Sequence, residues 1–197
     1  MKYNILGVAS FIIVIYGIFS AINSKNIFWY SYFLLGGTFF IAYINFNLKN
    51  DSLIKRFRKN KLKEIKNYFY YIFIAMLIEI IGRHILNLWS YPNYNTLNII
   101  INVFIIGYPM ALFFVYESFI LINKYFSFNI SIVICALINA FLHEIPNKFA
   151  NEWTYNIPRI TFEIFGLNIL VIIGWFILII IPLITNGKIK IIKKGVN

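Results

Sequence analysis

A chain of 197 residues that is 60% hydrophobic and 20% aromatic, with a mean hydropathy of +0.75, carries more apolar surface than a water-soluble domain can tolerate, which points to an integral membrane protein. The formal charge of +11 argues for no nucleic acid partner, because the cations are gathered between and after the apolar runs and no helical or aromatic reading module accompanies them. Cys135 is the single cysteine, which excludes an intrachain disulfide and a cysteine cluster for zinc.

Apolar runs of about 20 residues suit a hydrocarbon core of roughly 30 Å, and they lack the alternation of β-barrel strands. The expected class is therefore all-α: one integral membrane domain over 1–197, a polytopic bundle of six transmembrane helices at 5–22, 27–46, 68–89, 97–122, 128–145 and 160–184. The first run has a charged start, but it is longer than the roughly 7–15 residues of a signal peptide's apolar region, so it reads as an anchor.

The loop at 47–67 holds Lys49, Lys55, Arg56, Arg58, Lys59, Lys61, Lys63 and Lys66, and the tail at 185–197 holds Lys188, Lys190, Lys193 and Lys194. The excess of cations places both segments, and with them both termini, on the cytoplasmic side of the inner membrane. Leu53, Ile54, Phe57, Leu62 and Ile65 interrupt the charges in that loop. It reads either as an amphipathic segment on the anionic leaflet or as a solvated topogenic loop. Trp89, Tyr91, Tyr94, Trp153 and Tyr155 fall at the outer boundary and read as an aromatic belt.

Charged residues inside such runs cost roughly 2.5–3.5 kcal/mol each at the bilayer centre, so they are expected to face the bundle interior, pair, or serve a reaction. On the third span Glu79, Arg83 and Asn87 are spaced four apart and form one helical stripe in which Glu79 and Arg83 can pair, with His84 turned about 100° away. Gly107, Tyr108 and Pro109 predict a kink in the fourth span, whose inner half carries Glu117. The fifth span bears the stripe Ser131, Cys135, Asn139 and His143, with Glu144 beside it, a face suited to close packing. The sixth opens on Pro158, Arg159 and Glu163. Alternating span directions put Arg83, His84, His143, Glu144, Arg159 and Glu163 in the outer half, with Glu79 near the middle, so one polar cluster is expected among the third, fifth and sixth spans.

Three functions fit that cluster. In a membrane-embedded enzyme acting on a lipid or isoprenoid, His143, Glu144, Glu163 and Glu79 are the candidate acid–base groups, while Arg83, Arg159, His84 and Asn139 are candidates for binding the substrate. In a small proton-coupled transporter, Glu117 and the kink at Pro109 mark the path inward. In an accessory or assembly subunit the ion pairs only specify packing. Two histidines without a metal-binding spacing give no metal site, and the sequence leaves cofactor, substrate and oligomeric state open. Trp89, Ser90, Tyr91 and Pro92 at a helix end, followed by Gly107, Tyr108 and Pro109, resemble a short stretch of the integral-membrane lycopene cyclase domain. Met110, Ala111 and Leu112 stand where that family's acidic residues follow, so the resemblance implies no site residue here.

Overall fold

A computed structural model of the chain describes residues 2–23, 26–157, 162–164 and 166–189. The chain is mostly helical, and four of its helices, Asn4–Asn23, Lys61–Ile85, Thr96–Ile122 and Phe128–Ala150, are long and apolar enough to cross a membrane. Two further helices accompany them: α2 (Trp29–Asn47), rich in tyrosine, and the apolar α8 (Ile169–Thr185).

Helix α1 (Lys2–Asn23) forms an antiparallel hairpin with α2, and the glycines between them set its closeness. A Cβ on Gly36 would lie 2.7 Å from the backbone nitrogen of Val14, and one on Gly17 would lie 2.7 Å from that of Phe33. The outward face of α1 leaves Ile5, Val8, Ile12, Ile15 and Phe19 half or more exposed, as a surface solvated by acyl chains would be.

The short α3 (Leu53–Lys59) is capped by Ser52, and α4 (Lys61–Ile78) by Asn60, whose side chain accepts from the Lys63 amide at 3.0 Å. That cap starts the third apolar helix at Lys61, earlier than the expected 68. Helix α4 then widens into a π-helical segment, π1 (Glu79–Ile85). It stops before the expected 89 because Trp89 and Ser90 form β1, paired antiparallel with Thr154 and Tyr155 of β2. The left-handed Asn87, with φ +50°, turns the chain between them, a conformation asparagine tolerates.

The fourth helix also contains two geometries. A single turn, α5 (Thr96–Asn98), leads into π2 (Ile99–Gly107) and then into α6 (Tyr108–Ile122). The predicted break at Pro109 is this change of pitch. Proline lacks the amide that would bond the Ile105 carbonyl four residues back. Tyr68 of α4 donates its hydroxyl to that carbonyl at 2.7 Å instead. Helix α6 is the centre of the molecule: every residue from Ala111 to Ile120 is buried, as expected for a helix surrounded by neighbours.

Polar side chains seven apart on α2 join the fourth helix in parallel register. Ser31 donates to Asn102 at 2.7 Å, Thr38 to the Met110 carbonyl at 3.1 Å, and Asn45 to the Glu117 side chain at 3.0 Å. Helix α7 (Phe128–Ala150) runs through Pro146, beyond the expected end at 145, because left-handed Asn151 closes it. Its stripe Ser131, Cys135, Asn139 and His143 is fully buried. The last helix begins at Ile169, not 160. Residues ahead of it form a small hairpin, β3 (Glu163–Ile164) with β4 (Leu167–Asn168), turned by Gly166 at φ +73°, and Asn168 caps α8.

The close approach at Gly36 is directly testable. Gly36→Leu should lower the stability of the detergent-solubilised protein by about 1–3 kcal/mol, the usual range for overpacking. Gly174→Ala, where an added Cβ meets nothing within 4 Å, should leave the melting temperature unchanged or raised.

Candidate functional site

Beside the β1–β2 ladder, the helices part around a cavity of about 700 Å³. Ile74, Ile78 and Ile81 of the third helix and Val171 and Leu178 of α8 make its apolar walls. Its polar end is built from aromatic residues and Glu144, and the β1–β2 ladder ties the loops above it. Ser90 and Thr154 hydroxyls bond at 2.9 Å, and the Asn156 amide donates to the Leu88 carbonyl at 2.8 Å.

Two carboxylates stand at this end, each solvated by neutral donors. Glu79, 1% exposed, accepts on Oε1 from Trp89 Nε1 at 3.1 Å, the Tyr91 hydroxyl at 2.8 Å and the Tyr108 hydroxyl at 3.0 Å, while Oε2 has no partner. Glu144, 4% exposed, accepts on Oε1 from Tyr155 at 2.8 Å and Trp175 at 3.3 Å, and on Oε2 from Trp153 at 3.1 Å. Local sequence makes the Glu79 site possible. A Cβ at position 82 would lie 1.8 Å from the Trp89 ring, so only glycine seats the indole beneath the carboxylate.

His143 lies one residue from Glu144, behind the cavity wall. Its Nδ1 and the hydroxyl of the wall residue Tyr30 are 2.7 Å apart, and Nε2 is unpartnered. The rings of Phe33, Phe114 and Trp175 surround it with centroids at 5.2, 5.2 and 4.3 Å. Tyr30 is also within electrostatic range of Glu144 and Glu152.

Among the candidates read from the sequence, Glu144 lines the cavity, while Glu79 and His143 lie behind its wall, bonded to the lining residues Trp89, Tyr91 and Tyr108 and to Tyr30. Arg83 makes no ion pair with Glu79 among the described residues. Its guanidinium lies over the Tyr91 ring at 5.3 Å, so Tyr91 stands between the two charges. The wider turn of π1 explains this, since hydrogen bonds to the fifth residue back no longer stack residues four apart. His84 is exposed, and Glu163 is exposed in the β3 hairpin instead of on a helix. Asn139 is bonded within α7 to the Cys135 carbonyl at 2.7 Å, and Arg159 lies outside the described residues.

Glu117 belongs to a separate network. Arg56 Nη2 donates to Glu117 Oε1 at 2.7 Å and Nη1 to Asp51 at 3.3 Å, while Nε stands 3.6 Å from Glu64. The Leu53 amide and Asn45 complete the shell of Glu117 at 2.8 and 3.0 Å. The basic loop is thus drawn inward at Arg56 and Leu53, while Phe57 and Leu62 remain exposed. Among the described residues, no group of three or more histidine, cysteine or acidic side chains could hold a metal ion.

Sequence reasoning passed over Glu152, Arg56 and the donors Tyr30, Tyr108, Trp153, Tyr155 and Trp175. Their signal was the number of aromatic residues with a polar tip, which seek a partner when buried. The supposed belt residues Trp89, Tyr91, Trp153 and Tyr155 turn those tips inward. No protein-family model, curated protein or solved structure matches the chain.

Removing Arg56 leaves Glu117 buried without its cation, so Arg56→Ala should cost about 3–5 kcal/mol of stability in a denaturation experiment in detergent. Adding Glu117→Gln should recover a substantial part of that loss, the sign of direct coupling. Glu152, just past α7 and 2% exposed, forms no hydrogen bond through either oxygen. Burial pushes its carboxyl up to about 9, with Tyr94 and Trp29 close enough to hold it down in part. The folded protein keeps this proton where the unfolded chain has lost it, so stability should fall as pH rises from the ordinary glutamate range to about 9. Glu152→Gln should flatten that dependence in melting curves.

Proposed function

We propose that the chain is a six-span protein of the cytoplasmic (inner) membrane with both termini cytoplasmic, and that it is an enzyme acting on a lipid or isoprenoid by proton transfer at Glu144. The observation carrying this reading is the cavity of about 700 Å³ between apolar helices, whose polar end holds Glu144. An acyl or prenyl chain fits apolar walls with a few convergent polar groups. The parallel register of α2 with the fourth helix and the antiparallel α1–α2 hairpin suit alternating spans, and the basic segments favour a cytoplasmic side for the Arg56 end.

A carboxylate offers about four acceptor positions. Tyr155, Trp175 and Trp153 take three of those on Glu144, which leaves Oε2 free to exchange a proton with a bound substrate. The same donors fix the side chain's direction, as a general acid or base requires. Tyr30, backed by His143, supplies a second hydroxyl at the cavity wall.

A transport path would have to reach Glu117. The cavity's lining on α6 ends at Ala111, about 9 Å short of Glu117 along the axis. Leu112, Phe113, Phe114, Val115 and Tyr116 fill that stretch, each at most 3% exposed. This arrangement favours chemistry within the cavity over passage through the bundle.

The test is a lipid profile of a deletion strain complemented with variants. A lipid or isoprenoid precursor should accumulate in the deletion and disappear with the unaltered protein. Glu144→Gln, present in the membrane at equal abundance, should turn the precursor over about 10²-fold more slowly or worse, the usual weight of general acid–base catalysis. Glu163→Gln, in the exposed hairpin, should restore the profile. A deletion strain with an unchanged profile would defeat the enzyme reading.

A further inference from the structure

We propose that the cavity takes a cationic amphiphile, an ammonium or quaternary ammonium group on an apolar chain, with the charge seated among the rings beside Glu144. This names the substrate class of the site and rests on reading the cavity as a lipid site.

The composition of the wall is the starting point. The chain has 18 lysines and arginines against 7 acidic residues, yet among the described residues no lysine or arginine lines the cavity. Glu144 stands instead at its polar end, with Glu79 buried behind the lining residues Trp89, Tyr91 and Tyr108, and neither forms an ion pair with a described residue. An anionic head group would meet Glu144 with no cation in the cavity wall, since Lys148 acts on that carboxylate only from outside the lining. A neutral chain would fill the apolar walls and leave Glu144 without a cation beside it, which is costly away from water.

The donors sharpen the argument. An indole N–H only donates, so Trp89, Trp153 and Trp175 hold Glu79 and Glu144 as acceptors without cancelling charge. Oε2 of Glu79 has no hydrogen-bond partner among the described residues. The electrostatic requirement left by the protein is thus positive.

The walls can meet it. Trp89, Tyr91, Trp153, Tyr155 and Trp175 present their rings around the same space as Glu144. Aromatic faces attract cations, most strongly when water is excluded, and a cage of several rings is the usual receptor for a quaternary ammonium. Tyr91 already has the guanidinium of Arg83 over its ring at 5.3 Å. The apolar stretch between the third helix and α8 then receives the chain attached to the cation.

Binding can be read from tryptophan fluorescence of the purified full-length protein in neutral maltoside micelles, since three of its four tryptophans line the cavity. The probes are dodecyltrimethylammonium, dodecyl phosphate and dodecanol, which share a chain and differ in charge. The ammonium should bind about tenfold tighter than the alcohol or better, and the phosphate more weakly than the alcohol. Glu144→Gln, and separately Glu79→Gln in case the first variant fails to fold, should each reduce the ammonium's advantage and leave dodecanol binding unchanged. Equal affinity for all three probes, or a preference for phosphate, overturns the cationic assignment while sustaining the apolar-chain site. Absence of saturable binding by any probe overturns the lipid site and this inference with it.

Discussion

A carboxylate withdrawn from water must be given donors, and most of the polar design of this molecule answers that demand. At Glu117 the answer is a cation: Arg56 is folded back from the basic loop onto it, with Asn45 and the Leu53 amide completing the shell. At the cavity end it is a set of neutral aromatic donors around Glu79 and Glu144. The difference has a chemical meaning. An arginine neutralises its partner, whereas tyrosine hydroxyls and indoles stabilise a carboxylate and leave it able to act on a third body.

Backbone irregularity is the means by which those donors are aimed. Both π-helical segments lie beside the cavity, one carrying Glu79 and the other leading to Tyr108. A uniform α-helix would place Glu79 and Arg83 on one line and make them the natural pair. The wider turn of π1, the glycine seat at position 82 and the left-handed Asn87 together bring Trp89 and Tyr91 back over Glu79. Such segments are uncommon and concentrate at functional places.

How far this was legible in the sequence depends on the length scale of the signal. The long apolar helices could be read, because a run of hydrophobic residues needs no tertiary context, and so could the break at Pro109, because a missing amide is a local fact. Burial of Glu79, His143 and Glu144 could be read from the cost of polar groups in apolar runs. Their partners were not legible. Periodicity assumes 3.6 residues per turn and fails in π1, and a tyrosine or tryptophan at a membrane boundary looks alike whether its polar tip faces water or a carboxylate. Glu163 was misjudged because an apolar run was extended through residues that Gly166 turns into a hairpin, and Glu152 was passed over because nothing local marks a glutamate after a helix as buried.

Glu79 and Glu144 differ in where their donors lie along the chain, and this has a consequence for biosynthesis. All three partners of Glu79 arrive within 29 residues of it, so its shell is complete once the fourth helix has left the ribosome. The shell of Glu144 is closed only by Trp175, 31 residues downstream in α8. Helix α7 therefore emerges with a glutamate still short of one donor, and the pocket wall that supplies it is laid only when α8 follows.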